Sequence, residues 1–278
     1  MKFSGHVCNP ARRLVCCWGS LAEGLGNRAA DVDLLVLVDD RDAVRRNLEG
    51  LAMQAGRAVE ALLYRNGVEI NLEIFVREDV ERLMTSFVSL APALYNPVDL
   101  KRLPLLQAYD VRFLHRLRTG WTLRGEPTVE MWRDEFMTEL LATYLAVRHL
   151  NNFDEFLEDA QSLVGSPHHS CVYVGRLAVE FGLFSILAHE GFTNPGKKWL
   201  LEMCAKVQSA DAREVVDLGV ELLLGDLRQI DGAAYLGEVQ AFGVRLTAHL
   251  QRNPEVSKAT GFMRERIHYL PGATPAGG

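Results

Sequence analysis

Between two apolar runs the sequence reads Asp31-Val32-Asp33-Leu34-Leu35-Val36-Leu37-Val38, two acids one residue apart inside what is otherwise a strand pattern. Side chains alternate along a strand, so Asp31 and Asp33 leave on one face while Val32, Leu34 and Val36 leave on the other, toward the expected core. An unpaired carboxylate is costly enough to bury that it protonates or finds a cation. Two on one face, about 7 Å apart along the strand, need a shared positive charge. A hard divalent cation whose shell is completed by phosphate oxygens meets that need.

The flanking segments suit the same chemistry. Leu14 to Trp18 is β-rich and runs into Gly19-Ser20. A strand entering such a turn and a short helix offers backbone N–H groups and a hydroxyl to phosphate oxygens. Gly19 lets the backbone approach, and Ser20 adds a donor. Downstream, VEINLEIFV sets Glu73 between Leu72 and Ile74, the apolar-acid-apolar pattern seen around Asp33, with Glu69 at the same parity in reserve.

Taken together, the Gly-Ser turn, the ten-residue gap, Asp-Val-Asp in a strand and a later strand with a flanked Glu resemble the DNA polymerase β-like nucleotidyltransferase superfamily. The likeness spans roughly residues 12 to 76. It implies that Gly19 and Ser20 contact the phosphates of a nucleoside triphosphate, that Asp31 and Asp33 bind Mg²⁺ or Mn²⁺, and that Glu73 is the third acid, catalytic and metal-binding. Many relatives carry small hydroxyl residues before the first Asp, where this chain has Ala29-Ala30; Asn27 or Arg28 could reach the triphosphate instead. The reaction implied is transfer of a nucleoside monophosphate, AMP from ATP, to a hydroxyl of a small molecule with release of pyrophosphate. Transfer onto a protein or a tRNA, of toxin-antitoxin type, is the enzymatic alternative, and a catalytically silent nucleotide- or partner-binding module is the non-enzymatic one.

Two textures divide the 278 residues. Residues 1–126 mix strand-like runs (14–18, 32–38, 68–76) with helical ones (42–64, 79–90, 104–118), which predicts a small α/β domain with a mixed sheet. Residues 127–252 are helical, with helices expected from Thr128 to Leu150, Ser166 to His189, Gly196 to Val207, Ala210 to Leu224 and Ala233 to Leu250, and 253–278 form a loosely ordered tail. The expected class is therefore α+β, a nucleotidyltransferase domain followed by an all-α bundle. That order resembles the kanamycin nucleotidyltransferases, whose acceptor lies between the domains and whose helical half can supply a general base. On the first long helix Phe136, Leu140, Tyr144 and Val147 form an apolar stripe; Glu135, Glu139, Ala142, Thr143 and Ala146 form a second face from which Glu139 could enter a cleft. Pro195, Lys198 and Trp199 resemble a Pro-x-x-Lys-Trp segment of small-molecule nucleotidyltransferases. A lysine in a helix's first turn favours an anionic neighbour, which makes Lys198 a candidate triphosphate contact.

Charge and cysteine content narrow the partners. Thirty basic and 36 acidic residues give a net charge of −6, without a long basic block, which disfavours nucleic-acid backbone binding as the main activity and suits a cationic acceptor such as an aminoglycoside. Five cysteines, an odd number, suggest reduced thiols and a cytoplasmic protein. The sequence shows no secretory signal and no apolar run of membrane-spanning length, so no membrane partner is expected; a homodimer is left open.

Overall fold

The computed structural model describes residues 14–26, 31–39, 52–55, 58–94, 106–124, 130, 132–166, 170–226, 231–253 and 256. The chain is α+β and divides into two compact units, Met1–Ser89 with Leu105–Thr138, and Leu90–Pro104 with Glu139–Gly278. The division falls inside a long helix, after Thr138.

In the first unit β1 (Leu14–Trp18), β2 (Val32–Val38), β3 (Ala52–Ala55), β4 (Ala58–Arg65), β5 (Val68–Val76) and β6 (Trp121–Arg124) form one sheet in the order β3-β4-β5-β2-β1-β6. Only β2 and β5 run parallel; the other neighbours are antiparallel, so the sheet is mixed. Among the described residues this unit also holds helices α1 (Arg77–Val88) and α3 (Ala108–Thr119); α2 (Ala91–Leu94) belongs to the second. The helix expected over 42–64 gives way in its second half to the β3-β4 pair, because Ala58–Arg65 finds a full set of antiparallel partners in β5. Residues 40–51 lie outside the described residues.

The sheet's two faces differ from expectation. Leu35 and Leu37, in line with Asp31 and Asp33, are each 1% exposed, whereas Val32, Leu34 and Val36 are only partly buried. The face carrying the acids is thus also the main core face. Its lower part is closed by Leu14, Trp18 and Phe75 from the sheet and by Phe113 of α3, whose ring centroid lies 4.6 Å from that of Phe75 and 6.4 Å from that of Trp18. The other face holds a smaller cluster around Val59 and Ile74 with Val36, Val38 and Leu72. The Asp-Val-Asp pattern therefore marks where one face changes from dry to wet.

The second unit contains α4 from Glu139 onward (Glu135–Ser162 in full), α5 (Ser170–His189), a 3-10 turn (Lys197–Trp199), α6 (Leu200–Lys206), α7 (Ala210–Leu224) and α8 (Gly232–Leu250). Ser209 and Asp231 cap α7 and α8 by accepting hydrogen bonds from Ala212 and Ala233. Thr128 lies outside the described residues. Contrary to the expected absence of span-length apolar runs, α5 is 20 residues long, with a window of mean hydropathy 1.6 that meets the length and composition of a membrane span. Two thirds of that window is buried within the unit, as for a helix at the centre of a bundle.

Close approach around α5 depends on missing side chains. A Cβ at Gly219 of α7 would lie 2.7 Å from Leu183 Cδ2 and 2.8 Å from Phe242 Cε2. Both neighbours are fully buried. Overpacking of about 1–3 kcal/mol set against a gain in helix propensity of about 1 kcal/mol leaves a net loss for Gly219→Ala of up to about 2 kcal/mol, readable in urea unfolding. An unchanged midpoint would show that this junction has room to spare.

Candidate active site

β1 ends in a tight turn whose first residue must be glycine. Gly19 has φ +78°, in the left-handed region, and a Cβ there would collide with the Asp33 carboxylate, whose Cγ would lie 3.0 Å away. The register explains the closeness, since Trp18 pairs with Asp33 across β1 and β2. Beyond Gly19 the chain turns back on itself: the Ser20 carbonyl accepts from the N–H groups of Leu25 and Gly26, both at 2.8 Å, and the Gly19 carbonyl from that of Glu23 at 3.2 Å. Glu23 also reaches α3, its Oε1 3.0 Å from His115 Nε2, with both side chains nearly buried. This contact ties the Gly-Ser turn to the helix covering the sheet.

Across β2 and β5, Asp33 pairs with Asn71 and Leu35 with Glu73. Asn71 Nδ2 donates to Asp31 Oδ2. Asp31 and Asp33 are both partly exposed, at the rim of the core. Burial raises the pKa of Asp33 above the ordinary carboxylate range; Arg116 opposes the rise, Asp31 adds to it, the hydrogen bond with Asn71 opposes it, and Glu73 adds to it. A cation between the two aspartates would answer both the desolvation and the repulsion. The donor set of hard carboxylate oxygens, left partly open, fits Mg²⁺ or Mn²⁺.

Glu73, the expected third acid, is engaged by side chains of α3. Level with Leu35, it sits one side-chain repeat deeper than Asp33, is 7% exposed, and forms an ion pair with Arg116. The Tyr109 hydroxyl donates to its other oxygen at 3.3 Å. Burial and then the Glu73 charge push the Tyr109 pKa well up, so the phenol stays protonated and able to donate. Arg116 in turn lies over the Trp18 ring, Cζ 4.7 Å from its centroid. Among the described residues the three acids do not gather their oxygens as a three-ligand cluster. Glu73 instead anchors the guanidinium that favours the ionised form of Asp33. The reserve acid Glu69 accepts a 2.7 Å hydrogen bond from Tyr64 near the strand's exposed end.

Arg28 and Asn27 lie outside the described residues. Glu139 and Lys198 belong to the second unit. Glu139 is exposed; on the small-residue face Thr143 and Ala146 are buried, and the Ala146 carbonyl accepts from the Ser185 hydroxyl of α5 at 2.7 Å. Small residues at that spacing serve helix packing. Before the 3-10 turn, the Gly196 N–H donates to Asn194 Oδ1 at 2.8 Å. The helix dipole argument is met locally, because Lys197 pairs with Glu180 and Lys198 Nζ lies 5.0 Å from the Trp199 ring centroid.

No protein-family model matches the chain, and no curated protein matches it. Among solved structures it is similar to a nucleotidyltransferase-like protein from Exiguobacterium sibiricum, with TM-score 0.45 and 12% identity over 95% of this chain and 76% of that one. Asn71, Arg116, Tyr109 and the Glu23–His115 contact were not singled out from sequence. Asn71 had a usable signal, since it shares the parity of Glu69 and Glu73 in VEINLEIFV.

Proposed function

We propose that this protein is a metal-dependent nucleotidyltransferase that moves a nucleoside monophosphate, AMP from ATP, onto a hydroxyl of a small molecule and releases pyrophosphate. The observation that carries the reading is the packing of Gly19, in its left-handed turn, against the carboxylate of Asp33, with Asp31 on the same face. That places a backbone turn and two hard oxygen donors side by side.

In this reading Asp31 and Asp33 would hold Mg²⁺, which would supply neutralisation of the phosphate charge. The turn at Gly19 and Ser20 binds phosphate oxygens through N–H groups and the Ser20 hydroxyl. Asn71 fixes the rotamer of Asp31. Arg116, held by Glu73 and by the Trp18 ring, favours the charged form of Asp33 against the effect of its burial. Phosphoryl transfer requires mostly positioning and charge neutralisation, so these four roles cover the donor half of the reaction. The net charge of −6 suits a cationic acceptor of aminoglycoside type.

One observation favours a second reading. The Glu73–Arg116 pair removes the third acid from the ion-binding pair, as suits a nucleotide-binding module without turnover. Pyrophosphate release from each of the four ribonucleoside triphosphates with Mg²⁺, against a panel of hydroxyl-bearing acceptors, separates the two. Acceptor-dependent release, greatest with ATP, is expected. Nucleotide binding without release from any pairing would overturn the enzymatic reading in favour of the binding module.

A further inference from the structure

The strongest chemistry outside the acid site lies where two helices of the second unit end. His189 is the last residue of α5 and Glu190 follows it; His249 sits in the last turn of α8. Their rings and carboxylate converge: the His189 and His249 centroids are 5.3 Å apart, edge to face, and His249 Nε2 is 3.1 Å from Glu190 Oε1. One ligand atom from each of the three residues lies within 4.8 Å of the other two. Among the described residues no other trio of His, Cys, Asp or Glu does this.

We propose that His189, Glu190 and His249 form a site for one divalent transition-metal ion of the Zn²⁺ class, clamping the C-terminal end of α5 to that of α8. Two imidazoles and one carboxylate are a ligand set that Zn²⁺ takes with a fourth position left to water. Nitrogen donors also separate this site from the acid pair, which offers only hard oxygens suited to Mg²⁺.

Three features of the structure favour a cation there. Helix C-termini carry partial negative charge, and two of them meet here beside a carboxylate. His249 is 7% exposed and its Nδ1 has no hydrogen-bond partner among the described residues, so a buried imidazole is held with part of its hydrogen-bonding capacity unused. His189 and Glu190 are only partly buried, which leaves a route for the ion and its water. A tetrahedral ion with bonds of about 2.0–2.1 Å separates its ligands by about 3.3 Å, so binding draws the trio inward by rotamer adjustment. Gly191, at φ +90°, turns the chain directly after Glu190 and fixes that residue at the helix end.

The test uses the full chain stripped of metal and titrated with Zn²⁺ in excess Mg²⁺, beside His189→Gln, Glu190→Gln and His249→Gln. The expected result is one equivalent bound and a raised melting temperature. Each variant should bind about tenfold or more weakly, since losing even an outer partner of a metal ligand costs 10- to 100-fold. Co²⁺ in place of Zn²⁺ should give a tetrahedral ligand-field spectrum without a thiolate charge-transfer band, which excludes binding at the cysteines. Glu190→Gln keeps shape at a partly exposed position, so it reads the site even where a variant at buried His249 fails to fold. Absence of Zn²⁺ binding by the wild type, or binding of equal strength in His189→Gln and Glu190→Gln, would overturn the proposal and leave a plain hydrogen-bonded pair. Acceptor-dependent pyrophosphate release plays no part in either outcome, so the two proposals stand or fall separately.

Discussion

Asp33→Asn will lower acceptor-dependent pyrophosphate release by about a thousandfold while leaving the metal-free protein as stable as the wild type or slightly more so. The loss follows from the role given to Asp33: a metal's contribution to charge stabilisation is several kcal/mol, and each 1.36 kcal/mol is about tenfold in rate. The stability expectation has a separate origin. Burial raises the Asp33 pKa, against the opposing pull of Arg116, and Asp31 and Glu73 raise it further, so the metal-free fold bears the cost of keeping that carboxylate charged. Asparagine removes the charge and keeps the shape. A carboxylate kept for structure alone would behave oppositely, with activity nearly intact and stability lost. Steady-state rates and urea unfolding of the same preparation distinguish the two, and activity within a few-fold of wild type would remove Asp33 from the site.

The strands and the Asp-Val-Asp constellation were legible because alternation carries them. Val32–Val38 and Val68–Val76 form as the pattern predicts, and Asp31 and Asp33 share a face. What alternation could not give was which face is the core. Val32, Leu34 and Val36 look like the buried set, yet Leu35 and Leu37 beneath the acids are the fully buried pair, because α3 supplies Phe113 to that side. The same long-range packing decided Glu73. Its apolar flanks mark it as inward-facing, which is correct, but only the register with Leu35 and the arrival of Arg116 from 43 residues later show that it faces a guanidinium. Periodicity also misjudged 58–65, where Ala-Leu-Leu-Tyr spacing suits a helix until an antiparallel partner is available. His189, Glu190 and His249 left no signal at all, since 59 residues separate the last two and only the bundle's geometry joins them.

Gly19→Ala should damage both stability and activity. At φ +78° an L-residue pays about 1–2 kcal/mol for the left-handed conformation. The added Cβ would also meet the Asp33 carboxylate, and overpacking of that kind costs about 1–3 kcal/mol. Relief can come only by moving the turn or the carboxylate, and displacing a positioned group by about 1 Å is worth about a hundredfold in rate. Activity and stability should therefore fall together, unlike the result for Asp33→Asn. The two contributions separate in an Asp33→Ala background, where the carboxylate is gone and the backbone strain remains. There Gly19→Ala should cost only about 1–2 kcal/mol, and the difference between the two backgrounds measures the contact between turn and carboxylate. Equal costs in both would mean that the glycine is there for the turn alone, and that the closeness of Gly19 to Asp33 does not build the site.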